Sequence, residues 1–225
     1  MLVYKLTDEQ GMTHGDTQWG EGVSHEASGV GGLYGPGWIH CNDDPLIALL
    51  MNPIYTEFRS PRLWKALAEG PTLDNSGLKR GVRKLTTLRE ITLPEITLEQ
   101  RVTFGILCAK EVYTESEWNT WADEWLDNTN RSSEAAKTAA YAAAEAVKEA
   151  ASEIYTPAAI TARAAETAAY AAVHAAADTD TEDYFYEAAA FAVDAAYYAH
   201  IVTGVEFYAR LIDIIEQAMQ RSSNR

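Results

Sequence analysis

The first part of the chain, residues 1–94, alternates short apolar segments with stretches rich in glycine and proline. Residues 2–6 and 37–41 are short apolar runs, and each predicts a strand. Residues 62–69 and 79–93 predict two further strands, and the second alternates apolar and polar side chains along its length. This pattern is typical of a small sheet whose strands are joined by irregular loops.

Two helix starts can be read from local sequence in this half of the chain. Asp44 stands directly before Pro45, and an acidic cap followed by proline in the first turn predicts a helix over residues 45–51. Thr97 precedes Gln100 at the spacing of a capping box, which predicts a second helix as far as about residue 113.

Three tryptophans lie on one face of a further helix, predicted over residues 115–126 after a cap at Thr114. Trp118, Trp121 and Trp125 are spaced at i, i+3 and i+7. Such a stripe is either a surface on which a ligand stacks or the apolar side that docks on a neighbouring element. The packing interpretation is favoured, because each indole buries a large apolar area.

From Arg131 onward the chain is rich in alanine and its pattern is purely helical. Caps and breaks divide it into helices over residues 132–155, 156–177 and 182–201. The segment 135–143 recurs almost unchanged at 164–172, and a weaker copy begins at residue 188. Alanine favours helix but offers little area to bury, so the repeat indicates architecture rather than activity.

The last helix carries the strongest apolar stripe of this region. Its bulky members are Tyr208, Leu211, Ile212, Ile215 and Met219. The stripe either completes an intramolecular bundle or joins two copies of the chain, and the scarcity of large residues in the alanine helices favours a homo-oligomer. Thr203-Gly204 either separates this helix from the preceding one or interrupts a single long helix.

These patterns predict two domains of different class. Residues 1–130 are expected to form an α+β domain, a small mixed or antiparallel sheet with helices. Residues 131–225 are expected to form an all-α, alanine-rich helical bundle.

The charge balance excludes several classes of function. The chain has 18 Lys and Arg against 33 Asp and Glu, a formal net charge of −15. Such a field repels phosphate backbones, so generic nucleic-acid binding is not expected. The apolar runs are too short for a membrane span, which predicts a soluble protein with no membrane partner. The two cysteines indicate a reducing compartment.

Basic residues concentrate on one predicted strand. The group comprises Lys79, Arg80, Arg83, Lys84 and Arg89, and Arg59 and Arg62, in or near the strand before it, are candidate members. Against the acidic background this group is the candidate anion site, for a nucleotide or a phosphate. The alternative, which the pattern favours, is a solvated strand edge protected by basic side chains.

No motif in the chain carries a familiar metal or catalytic chemistry. His40 and Cys41 are adjacent and point to opposite faces of a predicted strand, and neither H-x-x-x-H nor C-x-x-C spacing occurs. The glycines at residues 29–37 lack the Gly-Lys-Ser/Thr of a phosphate-binding loop. The sequence therefore predicts no metal site, no cofactor and no assigned catalytic residue.

Several short motifs resemble those of a family found in tailed phages and prophages. They are Gly35-Pro36-Gly37-Trp38-Ile39-His40, Asp44-Pro45-Leu46, Asn52-Pro53-Ile54, Pro61-Arg62-Leu63-Trp64, Lys84-Leu85-Thr86-Thr87 and Glu99-Gln100-Arg101-Val102. The resemblance covers roughly residues 1–130. It implies an N-terminal domain of uncharacterised function followed by alanine-rich helical repeats, and it implies no activity.

A second resemblance is at the level of fold. A first strand that carries Lys5, then a glycine-aromatic-x-histidine turn and a short helix, is similar to the core of ADP-ribosyltransferase-like domains. This likeness implies a ligand pocket near Lys5, His14, His40 and Arg62. The catalytic glutamate of such domains has no clear counterpart, and Glu90 is the nearest candidate.

Three functional hypotheses follow. The first is a phage-borne accessory protein in the host cytoplasm that binds, and inhibits or sequesters, a host component such as part of a defence system, without catalysis. Its partner would be a host protein or a small nucleotide ligand. The second is an ADP-ribosyltransferase-like enzyme that handles a nucleotide, and the third is a structural component of the virion.

Overall fold

The computed structural model describes residues 1–52, 56, 58–75, 77–150, 156–176 and 182–221, apart from the side chains of residues 182, 184, 205, 208 and 209. The chain divides into two compact units, Met1–Glu95 and Ile96–Arg225. The first contains an antiparallel sheet and the second contains helices, so the order of strands followed by helices agrees with the sequence prediction.

The sheet of the first unit is antiparallel throughout. Its strands are β1 (Leu2–Thr7), β4 (Ser24–Glu26), β5 (Ile39–Cys41), β6 (Arg62–Asp74) and β7 (Arg80–Ile91). β6 pairs with β1 on one side and β7 on the other, and β7 also pairs with β4 and β5. A separate hairpin joins β2 (Met12–Thr13) to β3 (Thr17–Gln18).

Strands β1, β6 and β7 hold the apolar interior of this unit. Val3, Leu63, Ala66 and Val82 are completely buried. The strands predicted at 2–6, 62–69 and 79–93 are confirmed, although β6 continues to Asp74. The extension follows a register shift between Glu69 and Thr72, which lets β6 stay paired with the start of β7.

The short helix α1 (Pro45–Leu50) begins where the sequence predicts it. The Asp44 carboxylate accepts hydrogen bonds from the backbone N–H groups of Leu46 at 2.7 Å and Ile47 at 3.3 Å. Proline occupies the first turn, where its missing N–H costs nothing. The cap therefore directs four residues of the helix into the interior: Ile47, Ala48, Leu49 and Leu50.

The second unit contains six described helices. They are α2 (Leu98–Lys110), α3 (Ser116–Leu126), α4 (Ser133–Ala150), α5 (Pro157–Ala175), α6 (Glu182–Thr203) and α7 (Val205–Arg221). The capping box of Thr97 and Gln100 is formed, and Thr156 caps α5. The predicted Thr114 cap is wrong, because α3 starts from Glu115 without a side-chain bond. The predicted ends at residues 155 and 177 lie outside the described residues.

Gly204 decides between the two interpretations of the last helices. Its φ of +60° is a left-handed conformation, which ends one helix and starts another. The chain between residues 182 and 221 is therefore two helices, α6 and α7, rather than one interrupted helix.

The tryptophan stripe of α3 packs inward. Trp118, Trp121 and Trp125 are 3%, 6% and 3% exposed, and the indole N–H of Trp118 donates to the Ala165 carbonyl of α5 at 3.2 Å. The packing interpretation of the stripe is confirmed. Large side chains from α2 and α3 fill the space that the alanine faces of α4 and α5 leave open.

This packing places the boundary between the units after Glu95, not at residue 130. The prediction divided the chain where its composition changes, at Arg131. The physical division comes earlier because the alanine helices share one buried core with α2 and α3.

The apolar stripe of α7 also faces its own unit. Leu211 and Ile215 are buried at 0% and 3% exposure, whereas Ile212 is 37% exposed and Met219 is partly buried. The Tyr208 side chain lies outside the described residues. Buried side chains are not available to a second copy, so the prediction that Leu211 and Ile215 form an oligomer contact is corrected. The oligomeric state itself stays a prediction.

None of the helices in the described ranges is both long enough and apolar enough to cross a membrane.

Candidate functional site

A cavity of about 660 Å³ opens in the first unit, within the size range usual for small-molecule sites. It is bounded by β1, by β5, by the turn of the β2–β3 hairpin and by the loop that precedes β5. Its polar and aromatic lining includes Lys5, His14, Tyr34, Trp38 and His40 from these elements, with Trp19 directly after β3 and Lys79 directly before β7.

The loop over residues 28–38 forms one wall and is held closed by three hydrogen bonds. The Gly29 N–H donates to the Gly37 carbonyl at 2.8 Å. The indole N–H of Trp38 donates to the Gly31 carbonyl at 3.0 Å, and His40 Nε2 is 2.6 Å from the Leu33 carbonyl oxygen. These bonds present the loop's aromatic side chains, Tyr34 and Trp38, to the cavity.

Gly37 is required where this loop closes. A Cβ atom on residue 37 would lie 1.9 Å from the Val30 carbonyl oxygen, far inside van der Waals contact with backbone. We therefore expect Gly37→Ala to lower the free energy of unfolding by roughly 2 kcal/mol, as overpacked substitutions do. Urea unfolding measures the loss; Gly32→Ala, where a Cβ meets nothing within 4 Å, is the matched control. Equal stability of the two variants would contradict the close approach.

Lys5 is the most unusual side chain of the site. It is only 8% exposed, its Nζ donates to the His40 carbonyl at 2.8 Å, and it lies 5.2 Å from the centroid of the Trp19 ring. Burial lowers the pKa of Lys5 from 10.5 to about 8; the neighbouring Cys41 thiol opposes this shift and the positive charge of Lys79 adds to it. The amine is still mostly charged at neutral pH.

No carboxylate of the described residues lies within ion-pair distance of Lys5. Buried lysines are rare and are normally paired, because a buried charge without a counter-ion is costly. One backbone carbonyl accepts one of the three ammonium N–H bonds, and it supplies no net charge. The site therefore holds a cation whose charge no carboxylate of the described residues neutralises.

Lys79 is a second cation at the same cavity. Its Nζ lies 5.3 Å from the centroid of the Tyr34 ring, a cation–π distance. Burial lowers the pKa of Lys79 to about 8. Two partly desolvated ammonium groups thus face one space in a protein with net charge −15.

His40 is held as a neutral ring with a defined tautomer. The Leu33 carbonyl oxygen can only accept a hydrogen bond, so Nε2 carries the proton and Nδ1 is an acceptor. Burial lowers the pKa of His40, and Lys79 and Lys5 lower it further, against the raising effect of the Leu33 hydrogen bond. His14 is exposed on the turn of the β2–β3 hairpin.

Four of the seven predicted ligand-binding residues line the cavity: Lys5, His14, His40 and Lys79. The three arginines do not. Arg62 donates twice to the Glu90 carboxylate, at 3.0 and 2.6 Å; Arg80 Nε donates to Asp43 at 2.6 Å; Arg83 pairs with Glu26 at 2.9 Å. The predicted basic group is therefore corrected, because each arginine is neutralised by its own carboxylate.

Three aromatic residues of the site were not predicted. Trp19, Tyr34 and Trp38 each lie next to a glycine in the segment 11–38. An aromatic side chain within a glycine-rich loop is the signal that could have found them, since such a loop has little other means of burying apolar area.

The thiol of Cys41 is buried, which disfavours its reactive thiolate form. Burial raises the pKa of Cys41 to about 12, so its thiolate is scarce at neutral pH. Across the described ranges, no three His, Cys, Asp or Glu side chains converge as a metal site would require.

A smaller cavity, about 230 Å³, lies in the second unit beside Trp125 and Arg131. The Arg131 guanidinium stacks 4.2 Å from the Trp125 ring, pairs with Glu99 at 2.8 Å and donates to the Trp125 carbonyl at 2.9 Å. Because Glu99 already neutralises the charge of Arg131, this cavity contains no comparable cation that an anionic ligand would stabilise.

Comparison with protein-family models, with curated proteins and with solved structures finds no match to this chain.

Proposed function

We propose that this protein is a non-catalytic binding protein whose N-terminal unit captures a small anionic ligand. The observation that carries the proposal is Lys5, a buried ammonium group at the wall of a 660 Å³ cavity with no carboxylate partner among the described residues. An anion bound there would supply the missing counter-charge. Lys79 adds a second positive charge to the same space.

The positions of the carboxylates support binding rather than catalysis. The ADP-ribosyltransferase-like alternative needs a glutamate that can act on the substrate. Glu90 is held by both hydrogen bonds from Arg62, which lower its pKa, and it is not among the residues that line the cavity. Glu26 does line it, but pairs with Arg83 at 2.9 Å. Neither carboxylate is placed as a free base.

The resemblance to tailed-phage proteins supports a biological role for such capture. On this proposal the protein acts in the host cytoplasm and sequesters a host component, such as part of a defence system. The alanine-rich helices would form a helical bundle that serves as a scaffold, and copies of the chain would associate into a homo-oligomer. A role as a structural virion component has no observation that favours it over capture.

The proposal predicts that small anions stabilise the folded chain and that Lys5 is required. We expect a phosphate ester, a dicarboxylate or inorganic phosphate to raise the melting temperature, because a ligand that binds only the folded state shifts the unfolding equilibrium. Lys5→Met should abolish the rise, and added NaCl should weaken it. The measurement is a thermal melt of the full chain with each anion.

Lys84→Met is the matched control, because Lys84 is an exposed lysine of the same unit that pairs with Glu69 at 2.9 Å and does not line the cavity. It should keep the full response. If none of the three classes of anion raises the melting temperature, or if Lys5→Met responds as the unsubstituted protein does, the proposed function is wrong.

A further inference from the structure

The cavity contains features that select among anions. A site for inorganic phosphate or a small dicarboxylate needs cations and backbone donors but no aromatic surface. Here the two lysines are accompanied by three aromatic residues, Trp19, Tyr34 and Trp38, and the volume is about 660 Å³. The space and the rings exceed what a small inorganic anion would use.

The aromatic residues differ in what they can offer. Trp19 and Trp38 are 3% and 8% exposed, so their rings are mostly covered by the protein. Trp19 in addition has the His25 ring edge-on, with centroids 4.6 Å apart. Tyr34 is 57% exposed, although it lines the same cavity. Tyr34 is therefore the aromatic surface that a flat ligand ring can stack on.

The cation and the ring are adjacent. Lys79 Nζ lies 5.3 Å from the centroid of Tyr34, and the charge of Lys79 acts on buried Lys5. A ligand that reaches both lysines and also covers Tyr34 must carry its negative charge within a few ångströms of a flat ring. His40, fixed with Nδ1 as an acceptor, adds a partner for a ligand N–H or O–H group.

We infer that the ligand is a nucleoside monophosphate, with its phosphate between Lys5 and Lys79 and its base stacked on Tyr34. This inference rests on the proposed function, because it names the class of anion that the cavity binds. A phosphate dianion would give Lys5 the counter-charge that no described carboxylate supplies, and it would place further negative charge near Lys79. Base stacking on an aromatic side chain tolerates any base, so the class is defined by phosphate and ring together.

The test compares ligands that lack one part each. Calorimetric titration of the full chain uses the 5′-monophosphates of adenosine, guanosine, cytidine and uridine, then adenosine, ribose 5-phosphate, succinate and inorganic phosphate. We expect at least one nucleotide to bind. Adenosine, which lacks the phosphate, should bind about thirtyfold more weakly than its monophosphate. Ribose 5-phosphate, which lacks the base, should bind about tenfold more weakly, the usual range for one stacked base.

Two variants, each with a control variant, locate the parts of the ligand. Tyr34→Ala should weaken nucleotide binding roughly tenfold and ribose 5-phosphate binding much less, whereas Tyr34→Phe, which keeps the ring, should restore most of the nucleotide binding. Lys79→Met should weaken the nucleotide and ribose 5-phosphate alike, and Lys84→Met should weaken neither. Because Tyr34 is exposed, its replacement leaves the core untouched.

Each result of this experiment is decisive for one of the two proposals. If succinate or inorganic phosphate binds in a Lys5-dependent way and no nucleotide does, the inference is overturned and the proposed function stands. If a nucleoside binds as tightly as its monophosphate, or ribose 5-phosphate as tightly as the nucleotide, the inference is also overturned. If no anion binds at all, both fail.

Discussion

Residues 131–225, produced without the preceding chain, are expected to be helical but to lack a cooperative unfolding transition, whereas residues 96–225 should unfold in one sharp step. The change of composition at Arg131 makes the shorter fragment look like a complete domain. The structure instead groups it with α2 and α3 in a single compact unit. Thermal melts followed by circular dichroism at 222 nm separate the two behaviours.

The physical reason is the small size of alanine. Fully burying one methylene-sized group contributes only about 0.8 kcal/mol, so an alanine face needs large partners to make a core. Those partners include Val102 and Ile106 of α2 and the tryptophans of α3, all buried. Without them the helices keep their high intrinsic propensity but lose specific packing, so they should melt gradually.

The control for the fragment experiment is the full chain, in which the same helices keep α2 and α3. Residues 96–225 should match the full chain in the transition that belongs to this unit. A sharp transition of residues 131–225 at the same temperature as residues 96–225 would show that the alanine-rich helices form their own core, and the division after Glu95 would be wrong.

Lys5→Met is expected to stabilise the protein at pH 7, although it removes a hydrogen bond. The pKa of Lys5 falls from 10.5 to about 8 on folding. A shift of that size costs roughly 3 kcal/mol of folding free energy while the amine is charged. The lost bond to the His40 carbonyl, at 2.8 Å, should cost roughly 1 kcal/mol. The net gain is therefore roughly 2 kcal/mol.

The gain should disappear at high pH. Between pH 8 and pH 10.5 the folded protein holds fewer protons at Lys5 than the unfolded chain does, so the stability of the unsubstituted protein rises with pH through this window. A methionine side chain does not bind protons in this range, so residue 5 of the variant contributes no such pH dependence. The advantage of Lys5→Met should shrink from pH 8 upward and vanish near about pH 10. Above about pH 10.5 the variant should be the less stable protein, because it lacks the hydrogen bond.

Urea unfolding of the full chain at pH 7 and pH 10, followed by tryptophan fluorescence, measures this difference. Lys84→Met is again the control: its exposed amine pairs with Glu69, which raises rather than lowers its pKa, so it should show no such gain. A Lys5→Met variant that is less stable at pH 7, with a difference that does not change with pH, would show that Lys5 is not an unneutralised cation.

A residue that destabilises the folded state and is required for ligand capture is a signature of a binding site. Replacing a buried charge by an apolar side chain of similar length is often stabilising. A protein under selection for stability alone would gain from that replacement. Lys5→Met should therefore separate the two properties, with higher stability and lost anion binding in one variant.

Local structure was largely predictable from sequence. Asp44 before Pro45, Thr97 with Gln100 and Thr156 before Pro157 each place a helix start, because a cap depends on residues three or four positions apart. The spacing of the α3 tryptophans predicted their common buried face for the same reason. Strands β6 and β7 were found from their length and apolar character, but not the register shifts that extend β6.

The site was predicted only in part. Lys5, His14, His40 and Lys79 were named, but the grouping with the arginines was wrong. Whether a basic side chain is available depends on which carboxylate folds beside it, and Arg62 and Glu90 are 28 positions apart in the chain. Tyr34 was missed because a single aromatic residue in a glycine-rich loop has no periodicity to reveal it.

The sequence by itself determined the helices and strands, the order of a sheet followed by helices, and the inward face of α3. Each follows from contacts between near neighbours in the chain. Only the tertiary structure decided where the units divide and that Leu211 and Ile215 of the α7 stripe are buried. It also decided that Lys5 and Lys79 share a cavity in which no described carboxylate pairs with Lys5. These depend on which distant residues meet, and on the charge that remains after the other ions have paired.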